Sequence, residues 1–170
     1  MSDIQITTSE AADCADLVLL YRSVAAIEGG LARRQDEVTA AYIQNNYACS
    51  RERGLSFIAR IDGVIAGEVH AYRPVPKVFA HVLSDLTIAV HPDYQSLGVG
   101  RQLFFHLIEQ VRSHHPDILR IELIARESNQ RAIHFYQTLG FSIEGRMVNR
   151  IKSVDAGFEA DIPMAWLRPE

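Results

Sequence analysis

Two glycines, Gly98 and Gly100, mark the stretch of this 170-residue sequence that is best suited to hold a ligand. They lie in YQSLGVGRQLFF, where a loop gives way to a strongly amphipathic segment. The first amides of a helix are unpaired and its N-terminus is partially positive, which suits a phosphate group. Because glycine has no side chain, a ligand can approach the backbone directly. We therefore interpret residues 95–100 as a diphosphate cradle, with a tight turn and close helix-to-sheet packing as the alternative reason for the glycines.

The residues around these glycines exclude two common nucleotide-binding motifs. A Walker P-loop requires Gly-Lys followed by Ser or Thr, whereas this chain has arginine at position 101. A dinucleotide-binding fingerprint requires a third glycine at the position of Leu103. The cradle therefore belongs to another kind of site.

A second group of polar residues lies in ESNQRAIHFYQTLGF, residues 127–141. On one helix, the separation of seven positions between Asn129 and Tyr136 corresponds to about 700° of rotation and about 10 Å along the axis. The two side chains therefore share a helix face, and a long, thin ligand can touch both.

The pattern of apolar residues predicts one α/β layered domain over residues 1–170. Strands are predicted at residues 4–7, 55–61, 64–72, 81–90, 118–125, 141–151 and 158–167, and helices from a Thr7–Glu10 capping box to Ala26 and at 36–49, 98–113 and 128–139. We expect Asp62-Gly63 to form a hairpin turn and Ser128 to cap the last helix. Pro163 predicts a bulge or an unpaired position in the last strand.

The composition argues against several classes of partner. A net charge of −4 and a pI near 6.0 disfavour nucleic acids and anionic membranes. Cys14 and Cys49 form no CxxC pair, and the histidines contain no pair at helical spacing, so no disulfide framework and no metal site are expected. The N-terminus is polar and no apolar run approaches membrane-spanning length, so a cytoplasmic protein is expected.

The two chemistry-bearing segments together resemble the GNAT superfamily of acyl-CoA-dependent N-acetyltransferases. Its QxxGxG motif is matched by Gln95 to Gly100, and its NxxAxxxYxxxGF motif is matched from Asn129 to Phe141. The resemblance covers the whole predicted element order, and RIEL at 120–123 and FSIEGR at 141–146 are similar to the branch that acts on free amino acids or small amines. It implies a central mixed, mostly antiparallel sheet of about six or seven strands flanked by about four helices.

The resemblance also implies acetyl-CoA as the acyl donor. Its diphosphate would lie on the backbone amides of residues 95–100, its pantetheine arm would run beside residues 88–90 as an extra strand, and Asn129 would hydrogen-bond an amide of that arm. The expected donor-binding residues are Ile88, Ala89, Val90, Gln95, Ser96, Leu97, Gly98, Val99, Gly100, Arg101 and Asn129.

Two catalytic roles follow from the same resemblance. Tyr136 would lie near the sulfur as general acid; a phenol with a pKa of about 10 is protonated at neutral pH, although a thiol titrates at about 8.5. Asp85 is the first choice for the base because it occupies the strand position where amine-acetylating relatives often carry an acidic residue. Glu122, Glu68 and His70 remain alternatives.

The expected function is therefore transfer of an acetyl group to a primary amine, with a small acceptor such as an amino acid favoured. The alternatives are a polyamine or aminoglycoside acceptor, acetylation of a protein N-terminus or side chain, and a non-catalytic acyl-CoA-binding regulatory module. In this family the acceptor is selected by the segment after the first helix, here Ile27 to Asp36, and by later loops, here the turn near Val154 to Gly157. The resemblance is compatible with a homodimer, but no sequence feature identifies an interface.

Overall fold

The computed structural model describes residues 3–153 and 157–169, which form a mixed α/β structure. Its strands are β1 (Gln5–Thr8), β2 (Gly54–Ile61), β3 (Val64–Tyr72), β4 (Val82–Val90), β5 (Arg120–Arg126), β6 (Ser142–Ile143), β7 (Met147–Ser153) and β8 (Gly157–Leu167). Its α-helices are α1 (Cys14–Ala25), α2 (Ala40–Arg53), α3 (Val99–His114) and α4 (Gln130–Thr138).

The strands of the described residues belong to one sheet in the order β1-β2-β3-β4-β5-β8-β6, with β7 also paired to β8. The pairs β1–β2, β2–β3, β5–β8, β6–β8 and β7–β8 are antiparallel, and β4–β5 is parallel. The mixed, mostly antiparallel sheet with four helices confirms the expected fold class. The sheet has eight strands because the segment expected as one strand at 141–151 forms both β6 and β7.

The chain divides into two compact units, Met1–Tyr72 with Thr87–Pro116, and Arg73–Leu86 with Asp117–Glu170. Strand β4 contributes its first residues to the second unit and its last residues to the first. The donor cradle expected at residues 95–100 therefore belongs to the first unit, and the segment from Asn129 to Phe141 belongs to the second.

In the first unit, α1, α2 and α3 bury apolar side chains that recur at helical spacing. Residues of α1, of α2 and of the segment just before α2 pack with residues of β2, β3 and β4. This cluster consists of Leu17, Leu20, Tyr21, Val24, Val38, Ile43, Ile58, Ile65 and Ala89. Helix α3 buries Leu103, Phe104, Leu107, Ile108 and Val111. Each such side chain removed from water contributes about 1.5–3 kcal/mol, so these contacts hold the helices on the strands.

Gly67 of β3 lets α3 lie very close to the strand. A Cβ at this position would lie 3.0 Å from the carbonyl oxygen of Ala89, 3.0 Å from Val99 Cγ1 and 3.1 Å from Leu103 Cδ1. These distances are shorter than ordinary van der Waals contacts. The absence of a side chain at residue 67 therefore fixes the separation between α3 and β3.

The start of the first helix was predicted too early. Thr7 lies in β1, and a 3-10 turn at Ala11–Asp13 separates that strand from α1. The capping box is formed by Glu10 and Asp13, since Asp13 Oδ2 accepts a hydrogen bond from Glu10 N at 2.7 Å. The second helix also begins later than expected, at Ala40, because Thr39 Oγ1 accepts from Tyr42 N at 3.1 Å and caps it.

The hairpin turn between β2 and β3 is confirmed. Asp62 and Gly63 both have positive φ angles, 50° and 81°, and Ile61 pairs with Val64. Two consecutive left-handed residues are what a type I′ turn requires, and Asp-Gly is a preferred sequence for it.

In the second unit, β8 is the central strand and Pro163 lies in it. Pro163 pairs with Ile124 of β5 without a shift of register, so no bulge forms on that side. On the other side, Ile143 pairs with Met164 and Met147 with Asp161, and residues 144–146 between them belong to neither β6 nor β7. The irregularity expected at Pro163 therefore falls on the neighbouring segment.

Candidate active site

The loop before α3 is shaped by two left-handed residues. Gly98 precedes the helix with φ 84° and ψ 5°, and Ser96 has φ 68°. The first backbone bond into the helix runs from Gln102 N to Gly98 O at 3.0 Å. The amides of Val99, Gly100 and Arg101 precede that bond, so they are the unpaired amides that a helix start offers to an anion.

Glycine is required at positions 98 and 100 for different physical reasons. At Gly98 a Cβ would have none of the described atoms within 4 Å, so the space beside it is open. At Gly100 a Cβ would lie 3.3 Å from Val90 Cγ2 and 3.7 Å from Ile88 Cδ1. Gly98 therefore provides the turn and the open approach, and Gly100 provides close packing of α3 on β4.

The end of β4 is tied to this loop. Gln95 Nε2 donates to the carbonyl oxygen of Val90 at 3.4 Å, and His91 N donates to Ala66 O of the neighbouring strand at 2.9 Å. Ile88 and Val90 are half-buried, and Ala89 is buried. The parallel register of β4 with β5 consists of the pairs made by Val82 and Leu83, so residues 88–90 lie outside that register.

Arg101 lies on the exposed surface near the start of α3. Its guanidinium carbon is 5.2 Å from the centroid of the Phe105 ring, one turn further along the helix. This cation–π contact therefore holds the positive charge of Arg101 close to the unpaired amides. Leu97 and Gln95 are also exposed in this loop.

Asn129, and not Ser128, caps α4. Asn129 Oδ1 accepts from Ala132 N at 3.1 Å, whereas Ser128 N donates to Glu159 Oε1 at 2.8 Å. The pKa of Glu159 is lowered mainly by a hydrogen bond from the Ser128 side chain, and to a smaller extent by this backbone bond. The prediction of Ser128 as the cap is wrong because the distant Glu159 carboxylate binds both the side chain and the amide of Ser128.

Tyr136 packs among aromatic rings in the second unit. Its ring centroid is 5.7 Å from that of Phe135 and 6.1 Å from that of Phe141. Burial raises the pKa of Tyr136 to about 12. The phenol is therefore protonated throughout the neutral range and can donate a hydrogen bond.

The acidic candidates for the base differ in their surroundings. Asp85 is exposed in β4 and has a φ angle of 50°, a conformation that is uncommon outside glycine and tends to occur at functional sites. Glu122 accepts from Arg120 Nε at 2.6 Å, and the same guanidinium binds Glu144. Glu122 is therefore held in an ion pair with Arg120.

The other two candidates, Glu68 and His70, are the centre of a buried polar cluster in the first unit. Glu68 is 2% exposed and His70 is 4% exposed. Glu68 accepts from the Tyr21 hydroxyl and, at 2.8 Å, from the Ser56 hydroxyl. His70 Nδ1 lies 3.1 Å from both Glu68 oxygens. Burial, and then the charge of Glu68, raise the pKa of Tyr21, which keeps this hydroxyl protonated as a donor.

A solvent-open recess with about 240 Å³ of empty space lies over this cluster. Its lining consists of Leu17, Tyr21, Ile43, Asn46, Tyr47, Ser56, Glu68 and His70. The sequence offers one signal for the recess, since Glu68 and His70 alternate along β3 and so share a face. Tyr21 and Asn46 have no such signal: Tyr21 lies among apolar residues of α1, and Asn46 is one of the consecutive polar residues 44–46 of α2.

The segment expected to select the acceptor is partly engaged in local contacts. The guanidinium carbon of Arg33 lies 3.9 Å from the centroid of the Tyr42 ring, and Arg34 Nε pairs with Asp36 Oδ1 at 3.2 Å. In the second expected segment, residues 154–156 lie outside the described residues.

Within residues 3–153 and 157–169, no helix is long and apolar enough to cross a membrane. The same residues contain no group of three or more His, Cys, Asp or Glu side chains arranged to hold a metal ion.

Comparison with curated proteins gives matches over part of the chain. The curated [ribosomal protein bS18]-alanine N-acetyltransferase of Escherichia coli (strain K12) is 46% identical over 55 residues, which are 32% of this chain and 36% of that protein. The L-amino acid N-acyltransferase MnaT of the same strain is 35% identical over 71 residues, 41% of this chain and 38% of that protein. The chain thus spans less than half the length of these curated relatives.

Solved structures match over nearly the whole chain. The acetyltransferase of the GNAT family from Streptococcus pneumoniae superimposes with a TM-score of 0.80 and 25% identity, covering 98% of this chain and all of that chain. YncA of Salmonella typhimurium, solved with its cofactor acetyl-CoA, shares the fold with a TM-score of 0.77 and 20% identity, covering 99% and 96%.

The family itself is established by a match along the chain. Residues 21–141 fit the family model described as Acetyltransferase (GNAT) family, and this range includes both motifs and the loop before α3. The chain belongs to the GNAT acetyltransferase family, which confirms the family and the enzyme class that the sequence indicates.

Proposed function

We propose that residues 1–170 act as one N-acetyltransferase domain that moves an acetyl group from acetyl-CoA to the primary amine of a small acceptor, with a free amino acid favoured. The observation that supports the proposal is the helix start at Gly98, where the amides before the first helical hydrogen bond lie next to open space. Similarity to an L-amino acid N-acyltransferase supports the class of acceptor.

Donor binding is assigned to the first unit and to the cap of α4. The amides of Val99, Gly100 and Arg101 would hold the diphosphate, with the Arg101 guanidinium adding positive charge. The backbone of residues 88–90 would pair with the pantetheine arm, and Asn129 would donate from its amide nitrogen while its oxygen caps α4. Bound acetyl-CoA supplies the thioester carbonyl that the amine attacks.

Tyr136 is assigned to the departing sulfur. A phenol with a pKa of about 12 is a weak acid for a thiolate that titrates near 8.5. Full proton transfer would cost about 5 kcal/mol if both groups kept these values. Tyr136 therefore works as a hydrogen-bond donor that releases its proton only as negative charge accumulates on a poorly solvated sulfur.

Asp85 is assigned to the acceptor amine. An ammonium group must lose a proton before its nitrogen can attack, and an exposed carboxylate can accept that proton directly or through water. Replacement of Asp85 by Asn should lower kcat/KM at neutral pH and shift its acidic limb. An unchanged pH profile would remove Asp85 from the reaction.

The proposed function is tested by two measurements on the purified chain. Isothermal calorimetry should detect binding of acetyl-CoA, and a screen of amines should detect release of free thiol with at least one small acceptor. Absence of acetyl-CoA binding by the folded protein would overturn the proposal. Binding without turnover on any amine would favour a regulatory acyl-CoA-binding module.

A further inference from the structure

We propose that the recess over Glu68 and His70 binds the carboxylate of the acceptor, and that Asn46 and His70 are the groups that hold it. The inference rests on the proposed function, because it specifies the acceptor as a molecule that carries a carboxylate near its amine. It assigns binding residues in the first unit and leaves the assignments of Tyr136 and Asp85 unchanged.

Asn46 is the first observation that points to a ligand. It is 7% exposed and lines the recess, and its Nδ2 atom has no hydrogen-bond partner among the described residues. A buried donor without an acceptor lowers stability, and a donor that also lines a recess can be satisfied by a ligand that enters it. The amide N–H of Asn46 requires an oxygen acceptor.

The second observation is the way in which Glu68 orients His70. Tyr21 and Ser56 donate to Glu68, one to each carboxylate oxygen, and His70 Nδ1 lies within reach of both oxygens. A carboxylate has no proton to donate, so Nδ1 carries the hydrogen. Among the described residues, the hydrogen bonds of His70 all pass through Nδ1, which leaves Nε2 for another partner. A ligand carboxylate placed beside Nε2 would favour a proton on that nitrogen, so that the ring donates to Glu68 and to the ligand together.

These groups favour an anion over an ammonium group. Glu68 already accepts from three donors, so it has little capacity left for a ligand N–H. Asn46 Nδ2 is a donor that lines the same recess as His70, and a donor without a partner fits an oxygen of a ligand carboxylate.

The position on the sheet fits this role. Glu68 and His70 lie on β3, the neighbour of β4, whose last residues are proposed to hold the pantetheine arm. Tyr21 and Asn46 reach the same recess from α1 and α2. The acceptor carboxylate would therefore bind one strand away from the proposed donor strand.

The test compares acceptors with and without a carboxylate. Thiol release is measured for each free L-amino acid that the wild-type protein acetylates and for the matching decarboxylated amine. Asn46→Leu removes the donor and keeps a similar volume. For the amino acid, we expect KM to rise by at least about tenfold, the effect of one hydrogen bond to a charged group, with little change in kcat. For the decarboxylated amine, kcat/KM should be the same in both proteins.

Ser50→Ala is the matched control. Ser50 lies one turn after Asn46 on α2, is 3% exposed, and its hydroxyl also lacks a partner among the described residues, but it does not line the recess. This variant should retain wild-type kinetics on both acceptors. Circular dichroism and urea unfolding should show both variants folded, because neither substitution removes a hydrogen bond that the described residues make.

Several outcomes would overturn the inference. They are an equal effect of Asn46→Leu on both acceptors, no effect on either, or a wild-type preference for the amine or for a peptide with a blocked carboxyl end. If no amine is acetylated, calorimetry of free amino acids against the protein saturated with CoA replaces kinetics. Binding that Asn46→Leu abolishes would then support the recess although the proposed function had failed, and absence of binding would overturn the inference.

Discussion

Glu68 shows how a buried carboxylate is stabilised in this protein by hydrogen bonds from neutral hydroxyls. Removing one donor should leave a charged oxygen poorly satisfied, so we expect Tyr21→Phe to lower the free energy of unfolding by about 1–3 kcal/mol. Urea unfolding measures this change.

Tyr42→Phe is a suitable comparison for Tyr21→Phe. The Tyr42 ring packs edge-on against Tyr21 with centroids 6.2 Å apart, and its hydroxyl is not part of the Glu68 cluster. We expect a change within about 0.5 kcal/mol, as for most substitutions that break none of the stabilising features of a fold. Equal losses in the two variants would show that the hydrogen bond from Tyr21 to Glu68 has no stabilising effect of its own.

The raised pKa of Tyr136 makes a prediction about pH. Because the folded-state pKa is about 12, the Tyr136 hydroxyl stays protonated in moderately alkaline solution. Its deprotonation should therefore not limit turnover below about pH 11. Tyr136→Phe should lower kcat by about 100-fold or more, the usual effect of losing a general acid, and should leave the Kd for acetyl-CoA nearly unchanged. Turnover equal to that of the wild type would exclude Tyr136 from the reaction.

At the scale of elements, the start of α3 depends on the left-handed conformation of Gly98. Gly98→Ala should lower the free energy of unfolding by about 1 kcal/mol, since alanine tolerates this φ angle poorly. The added methyl group also enters the open space proposed for the diphosphate, so calorimetry should show an affinity for acetyl-CoA at least about tenfold weaker.

Gly98→Asn separates these two effects. Asparagine adopts left-handed conformations more readily than alanine, so stability should recover in part. Its side chain still occupies the open space, so acetyl-CoA should remain weakly bound. Wild-type affinity in both variants would mean that Gly98 serves only the turn.

Local patterns in the sequence predicted most of the elements, and distant contacts explain the exceptions. The Asp62-Gly63 turn was predictable because its geometry depends on two adjacent residues. The cap of α4 was not, because Ser128 and Asn129 are both good caps and the choice depends on Glu159, far along the chain. The break between β6 and β7 likewise follows from Pro163 on the paired strand.

The candidate site divides in the same way. The motif from Gln95 to Gly100 is contiguous, so its position at a helix start was readable from the sequence. The cluster around Glu68 joins residues on α1, β2 and β3 that are far apart in the chain. Charge and alternation made Glu68 and His70 candidates, but only the fold shows that Tyr21 and Ser56 bind them.

For the whole molecule, binding of acetyl-CoA should appear as added stability. A ligand present at 100 times its Kd raises the free energy of unfolding by about 2.7 kcal/mol. In a chain of this length, that corresponds to a rise in Tm of roughly 5–10 °C. Differential scanning fluorimetry measures the shift, and Gly98→Ala should reduce it at the same ligand concentration. No shift in the wild type would contradict donor binding.

Gly67 should influence this binding although it contacts no ligand in the proposed site. Any side chain at residue 67 would push against Ala89 of β4 and against Val99 and Leu103 of α3. The helix would have to rise from the strand, and its first amides would move with it. Substitutions under α3 can therefore tune the affinity for the proposed coenzyme without changing any residue that would contact it.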